Sequence, residues 1–406
     1  MRMAAFVQAQ AAICKMKQTH IYLDHGASTP VHPQVIEAMI PFWTDYYGNP
    51  SSAHAHGRDA GFALEEARRT IADLLYAQPN EIVFTGCGSE SDNLAVRGVM
   101  WAARRQGRGN HMITSCIEHE AVLETAVQLR DFFDFDVTIL PVDEYGRVSP
   151  HDVRAALRPD TALVSIMAAN NEIGTVQPIL EIGDITREHG ALFHTDAVQA
   201  GATTRWNLVE MPVDLLSLAP HKFYGPKGVG ILYVRDGIQL VSALTGGGQE
   251  DGRRSGTVNV AFAVGAAQAL QLAQAQLDER VTHYTTLRDH LIVGVLAAIP
   301  ATDICLTGHP GERLPHHASF ALCGLSGNDL LIHLDMAGFS ASSGSACKTG
   351  NPRPSAILQA IGLGAEWTLG GLRFTVGAQN TLADVDALIA ALPRVVAQVR
   401  QFSGNW

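Results

Sequence analysis

The chain has 406 residues, 47% hydrophobic and 17% charged, with a formal charge of −11, which describes a globular protein with ample core and more than one structural unit. That acidic balance argues against a protein tracking nucleic-acid phosphates, since such binding rests on clustered Lys and Arg. No apolar run approaches the ~18 residues of a spanning helix, so a cytoplasmic setting is the default expectation. Six cysteines (Cys14, Cys87, Cys116, Cys305, Cys323, Cys347) are scattered without a CxxC pair. This favours reduced thiols over a disulfide framework and offers no zinc-ligand spacing.

Residues 1–20 carry Arg2, Lys15 and Lys17 and no acid, and read as a frayed extension rather than a targeting segment, with Met16 as an alternative start. IYLDHGASTP predicts a short strand and turn, followed by a helix with Pro33 near its start. GNPSSAHAHGR reads as loop. Apolar spacing predicts a helix over 59–76. EIVFT is then a strand, GCGSES a tight turn, and SDNLAVRGVMWAARRQ a helix. HMITS, FDVTIL, TALVSIMA and ALFHTD are further strands, interleaved with helices near 120–129, 150–157 and 178–189. Such alternation predicts an α/β domain with a mostly parallel sheet, whose ligands bind at the loops beyond the strand ends. After the Gly-rich break GGGQEDGRRSGTVN, one long helical stretch is expected over 260–298. An α+β tail follows: ASFALCG, LSGNDLLIHLDMAG, the loop SASSGSACKTGNPRPS, LRFTVG and a closing helix over 382–400. The expected division is a large domain over 21–275, its first residues able to pack on the small one, and a small α+β domain over 276–406.

Lys222 is the centre of the chemistry. It stands between two apolar runs, 214–219 and 229–234, where desolvation lowers an amine's pKa and frees it for Schiff-base chemistry. Alone, an HK pair on a hairpin reads as a solvated lysine; its company argues otherwise. Gly88 and Ser89 fall in a strand-to-helix turn suited to one phosphate. The turn is no dinucleotide fingerprint, because Ser91 stands where GxGxxG needs a third glycine, and no GxxxxGK occurs. Asp196 ends a predicted strand, Gln199 lies one turn beyond, and His119 and Asn171 occupy similar strand-end loops. Helix capping explains any one of them but not the set.

DHGASTP, GNPSSAH, EHEAV, NNEIGTVQP, HTDAVQ, HKFYGPKGVG, GGGQEDGRRSGT, SSGSAC and LRFTVG follow the order and approximate spacing of the NifS/IscS-like cysteine desulfurases, which are class V, fold-type I pyridoxal-phosphate enzymes. The chain resembles that family from about Ile21 to Asn380. The resemblance implies a homodimer with pyridoxal 5'-phosphate at the subunit interface. Lys222 would form the Schiff base, Asp196 hold the pyridine nitrogen, Gln199 contact the ring hydroxyl, and His119 stack on the ring and help move protons. Asn171 would lie near the ring oxygen and the substrate. Gly88, Ser89 and His221 would bind the phosphate, with Thr257 reaching across from the partner, and Arg373 would clamp the carboxylate of L-cysteine. Cys347, on a loop of small and polar residues, would take the substrate's sulfur as a persulfide and pass it to an acceptor for iron–sulfur assembly or thiolation, with Lys348 and His119 as candidate activators of the thiol. No metal is called for. The chain departs from the family at Ala219, where a phosphate-binding Ser is common. Cys87 needs no chemistry. The alternatives are another fold-type I enzyme, such as a selenocysteine lyase or aminotransferase, or a sulfur-assembly platform without turnover.

Overall fold

The central sheet has seven strands: β1 (Ile82–Thr85), β2 (His111–Ser115), β3 (Asp136–Leu140), β4 (Thr161–Ser165), β5 (Leu192–Asp196), β6 (Leu215–Leu218) and β7 (Gly230–Val234). Their spatial order is β1-β7-β6-β5-β4-β2-β3, and only β7 runs against the other six. These coordinates come from a computed structural model that describes residues 20–343 and 353–403, so Cys14, Cys347 and Lys348 lie outside the described residues.

Most strand residues are buried on both faces, which explains the continuous apolar runs in place of alternation. Consecutive residues still point to opposite sides. Ile82, Phe84, Ile113, Val164, Leu216 and Ile231 join one core, whereas Val83, Met112, Leu163, Leu215 and Leu232 join the other. Helices α1 (Pro33–Met39), α2 (Ala55–Leu75), α5 (Ile179–His189) and α6 (Val260–Ala275) close the first face, and α3 (Gly88–Arg105) and α4 (Glu120–Phe133) close the second.

A separate core gathers α7 (Leu277–Ala298), α8 (Gly327–Met336) and α9 (Leu382–Ser403) on an antiparallel sheet of β8 (Ile304–Leu306), β9 (His317–Leu322) and β10 (Gly371–Thr375). Leu23 packs into this second core, and Ile21–Tyr22 pairs in parallel with Phe339–Ser340.

The structure corrects several predicted boundaries. α2 begins at Ala55 rather than 59, inside the expected loop, because the His54 side chain accepts from Gly57 N and caps the helix. It ends at Tyr76, which takes a left-handed φ of 56°. The first predicted helix is interrupted at Ile40, with Pro41 opening a separate turn. GCGSES is shorter as a turn than expected, since α3 already starts at Gly88. The expected single helix over 260–298 is two, broken at Gln276 where ψ rotates to 14°. The sequence carries neither Gly nor Pro at that break.

One polar contact reaches deep into the first core. Arg68 in α2 donates from both terminal nitrogens to Glu250, each at 2.8 Å, and Glu250 also accepts from Phe84 N at 2.8 Å. Arg68 and Glu250 are both buried. Glu250→Ala would leave the guanidinium with the Ile82 carbonyl and, as its one remaining anion, Glu65, which is half exposed, so we expect a loss of about 3–5 kcal/mol in urea unfolding. A loss below ~1 kcal/mol would show that the pair adds little.

Candidate active site

The loops that leave the C-terminal ends of the parallel strands converge on one cavity of about 410 Å3. Gly88 and Ser89 follow β1, His119 follows β2, Asn171 follows β4, Asp196 and Gln199 close β5, and His221 and Lys222 follow β6. This is where an open α/β sheet binds its ligands. Arg373 enters from β10 of the second core, and Gly26, Ala27 and Ser342 complete the wall. A surface groove of about 460 Å3 near Pro141 and Pro150 is as large, but its walls carry no Lys, His or Cys.

Lys222 is set by a 3-10 turn, Pro220–Lys222, and its Nζ donates to Gly26 O at 2.6 Å and Ala27 O at 3.1 Å. Burial, then the nearby Arg373 charge, depresses its pKa to about 8, against the opposing pull of Asp196 and Asp24. An appreciable neutral fraction therefore exists near neutral pH. His119 caps α4, and its Nδ1 accepts from Ala121 N at 3.0 Å, so a neutral ring carries its proton on Nε2. Gln199 Nε2 donates to Gly26 O at 3.0 Å. His221 is brought down to about 4 by burial and by Lys222 and Lys227, and its Nδ1 lies 3.4 Å from Ser28 Oγ. It acts as a neutral hydrogen-bonding group.

Three buried carboxyls lie under the cavity. Burial raises Asp92 well above the carboxylate range, and the charge of Asp196 adds to it. Glu118 is pushed up to about 8 by burial, although its Oε1 accepts from Ser115 Oγ at 2.6 Å and Met167 N at 3.1 Å. Burial raises Asp196 too, but it alone of the three has basic side chains, His119 and Lys222, acting the other way, along with the Val198 N–H at 2.9 Å. Three adjacent buried anions would repel, so the member best placed to lose its proton is Asp196, which faces the basic side chains. His194 beneath them contacts Ser165 Oγ and Ser217 Oγ and is neutral, its pKa lowered by burial to about 3.

Arg373 spans the two cores. Its Nη1 donates to Asn171 O at 2.7 Å and its Nη2 to Asp24 Oδ1 at 2.8 Å, while its buried Nε has no partner among the described residues. His317 Nε2 also contacts Asn171 O, at 3.2 Å.

The set fits a phosphorylated aromatic ring. A buried carboxyl sits at the cavity floor, and an amine of lowered pKa in its wall. The turn at Gly88 is so closely approached that a Cβ there would meet Val198 Cγ2 at 3.0 Å and Ala219 Cβ at 3.2 Å. The structure thus brings together Gly88, Ser89, His119, Asn171, Asp196, Gln199, His221, Lys222 and Arg373. It does not bring Thr257 to this cavity, since Thr257 is exposed on the loop before α6. Sequence reasoning missed Asp24, Asp92, Glu118 and Ser342. DHGASTP and IEHE were the signals for Asp24 and Glu118, and the i, i+3 step from Ser89 to Asp92 was another.

The buried carboxyl of Glu118 has a pH signature. Between the ordinary value of 4.5 and about 8 the folded chain keeps a proton that the unfolded chain has released, so stability falls as pH rises through that window. Glu118→Gln cannot ionise. We expect wild type to lose unfolding free energy relative to this variant as pH is raised from about 5 to 8, followed by denaturant titration. Parallel profiles would mean that Glu118 is ionised in the fold.

Comparison with known proteins places this geometry in a family. Residues 21–388 match the model of the family "Aminotransferase class-V". The cysteine desulfurase IscS of Methanosarcina thermophila is 46% identical over 383 residues, covering 94% of this chain and 93% of the relative. A solved NifS-like protein superposes with a TM-score of 0.86 at 35% identity, over 93% of this chain and 100% of that one. A structure of SspA in complex with cysteine gives 0.74 at 36% identity, over 87% of this chain and 98% of that one. The chain therefore belongs to the class-V aminotransferase family, among its NifS-like and IscS members.

Proposed function

We propose that this protein is a cysteine desulfurase that binds pyridoxal 5'-phosphate, acts on L-cysteine, and leaves L-alanine and a persulfide on Cys347. The observation that carries the reading is the amine of Lys222, desolvated to a pKa of about 8 in the same cavity as Asp196 and Arg373. Asp196 would hold the ring nitrogen, Lys222 the aldehyde carbon, and Ser89, His221 and the backbone at Gly88 the phosphate. Bound there, the cofactor supplies an electron-withdrawing ring that takes up charge released at the substrate's Cα.

The chain's own residues do the rest. Asp196, as an anion, keeps a proton on the ring nitrogen. Lys222 Nζ, neutral in part near pH 7, can take a proton from Cα and return it. The ring of His119 faces the same space with a proton on Nε2. The Arg373 fork is already fixed by Asp24 and Asn171, so it can receive the substrate carboxylate with little further ordering.

Cys347 lies five positions beyond Ser342, a cavity residue, which is a tether of at most about 18 Å. Its thiolate attacks the substrate sulfur. The new S–S bond forms as the Cβ–S bond breaks, and the electron pair left on carbon is protonated to give alanine. The persulfide then passes to an acceptor protein for iron–sulfur assembly or thiolation. A homodimer is part of this reading, with Thr257 of each subunit directed at the other's site, and so is a division into large and small domains near residue 276. No helix among the described residues is long and apolar enough to cross a membrane, and a cytoplasmic location completes the reading.

Mass analysis after exposure to L-cysteine should find one added sulfur on the Cys347 peptide. Cys347→Ala should lose that mass and fall at least about a hundredfold in alanine formation, the scale of losing a nucleophile. Lys222→Ala should lose the visible absorption that borohydride bleaches in wild type. Unimpaired turnover in Cys347→Ala would favour a lyase or aminotransferase instead.

A further inference from the structure

The loop from Gly246 to Thr257 is braced from within. Arg68 and Phe84 N hold Glu250, and Arg253 Nη1 donates to Asn80 O at 2.8 Å. Glu250 and Asp251 both adopt left-handed backbone, φ 51° and 55°, a conformation that non-glycine residues keep only where their surroundings impose it. Beyond them Arg254 Nε donates to Glu90 Oε1 at 2.8 Å, and Arg254 Nη1 to Gly256 O at 3.2 Å. Gly256 has φ of 100°, so this contact fixes the direction in which the chain leaves toward Thr257.

Glu90 is the other end of the brace. Its Oε2 accepts from Gly86 N at 2.7 Å, so one carboxylate joins the turn at Gly86–Ser89 to the loop bearing Thr257. It stands in the first turn of α3, beside the Ser89 that faces the cavity. A bare carboxylate there would repel a phosphate, and Arg254 neutralises it. Both side chains are largely covered, 18% and 27% exposed, whereas Thr257 is exposed and absent from its own chain's cavity.

We infer that Arg254, braced on Glu90, is a positioning residue that sets the reach of Thr257 toward the cofactor phosphate in the partner subunit's site. The inference rests on the dimeric, pyridoxal-phosphate reading above. Arg254 touches no cofactor itself, so its effect runs through Thr257.

The full-length chain, stripped of cofactor and titrated with pyridoxal phosphate by absorbance, tests it. Thr257→Ala should weaken binding about tenfold, the loss of one hydrogen bond to a charged group. Arg254→Gln should match it, and the double variant should stay near tenfold rather than reach about a hundredfold, because the two changes remove one contact. Arg254→Lys keeps a cation opposite Glu90 but not the fork to Gly256, and should fall between; it carries the same cycle should the Gln variant not fold. Wild-type affinity in the Arg254 variants, or additive losses, would overturn the role given to Arg254. Unchanged affinity in Thr257→Ala would overturn the placement of Thr257 at the partner's phosphate, and the inference with it.

Discussion

The site depends first on the partial desolvation of Lys222. An ammonium in a polar, open loop would hold its proton tightly. Here the 3-10 turn after β6 holds the half-buried side chain against the 26–27 backbone, where desolvation outweighs the attraction of Asp196 and Asp24 and brings the pKa to about 8. The same low-polarity floor that frees the amine also governs the acids beneath it. It keeps protons on Asp92 and Glu118 and leaves Asp196, which faces cations, as the group able to carry charge. One environment thus prepares both a base and a counter-charge.

That environment is built by the sheet. Six strands share a direction, so their carboxyl ends meet at one edge, and five of them, all but β3, deliver polar residues to the cavity from the loop that follows. These residues were legible in the sequence for this reason: strand, polar strand-end, helix is a local pattern. His119, Asn171, Asp196, His221 and Lys222 could all be placed without knowing which strand adjoins which. The α/β architecture was legible on the same grounds.

Less local features were not. Asp24 and Arg373 lie 349 positions apart, and no periodicity pairs them; only the folding of Leu23 into the second core puts Asp24 beside β10. Glu118 sits beside the more conspicuous His119 and looks like a surface acid, but its side chain turns inward to Ser115 and Met167 N. The start of α2 was misjudged because its cap is a histidine, and the break at Gln276 because backbone rotation alone makes it. In these cases a tertiary contact, an uncommon local cap or a single dihedral decided, and none of them follows from hydrophobic periodicity.

The same division sets Arg373 apart from the other cavity residues. Nearly all other cavity residues come from the central sheet's own loops, whereas this arginine stands on β10 of the second core and reaches across to Asn171 O and Asp24. Its two terminal nitrogens are held from opposite sides, one by a loop of the large sheet and one by a segment tied to the small sheet. Any relative shift of the two cores must stretch one of those bonds or the other. The guanidinium is buried, and losing a partner there is costly, so the bonds resist such a shift. If the fork receives the substrate carboxylate as proposed, fixing it in this way makes that binding a test of the geometry between the two cores. The chain also passes through Ser342, on the cavity wall and bonded to the Arg373 backbone, before it reaches Cys347. The fork proposed to hold the substrate carboxylate and the segment that leads on toward Cys347 thereby start from the same strand edge.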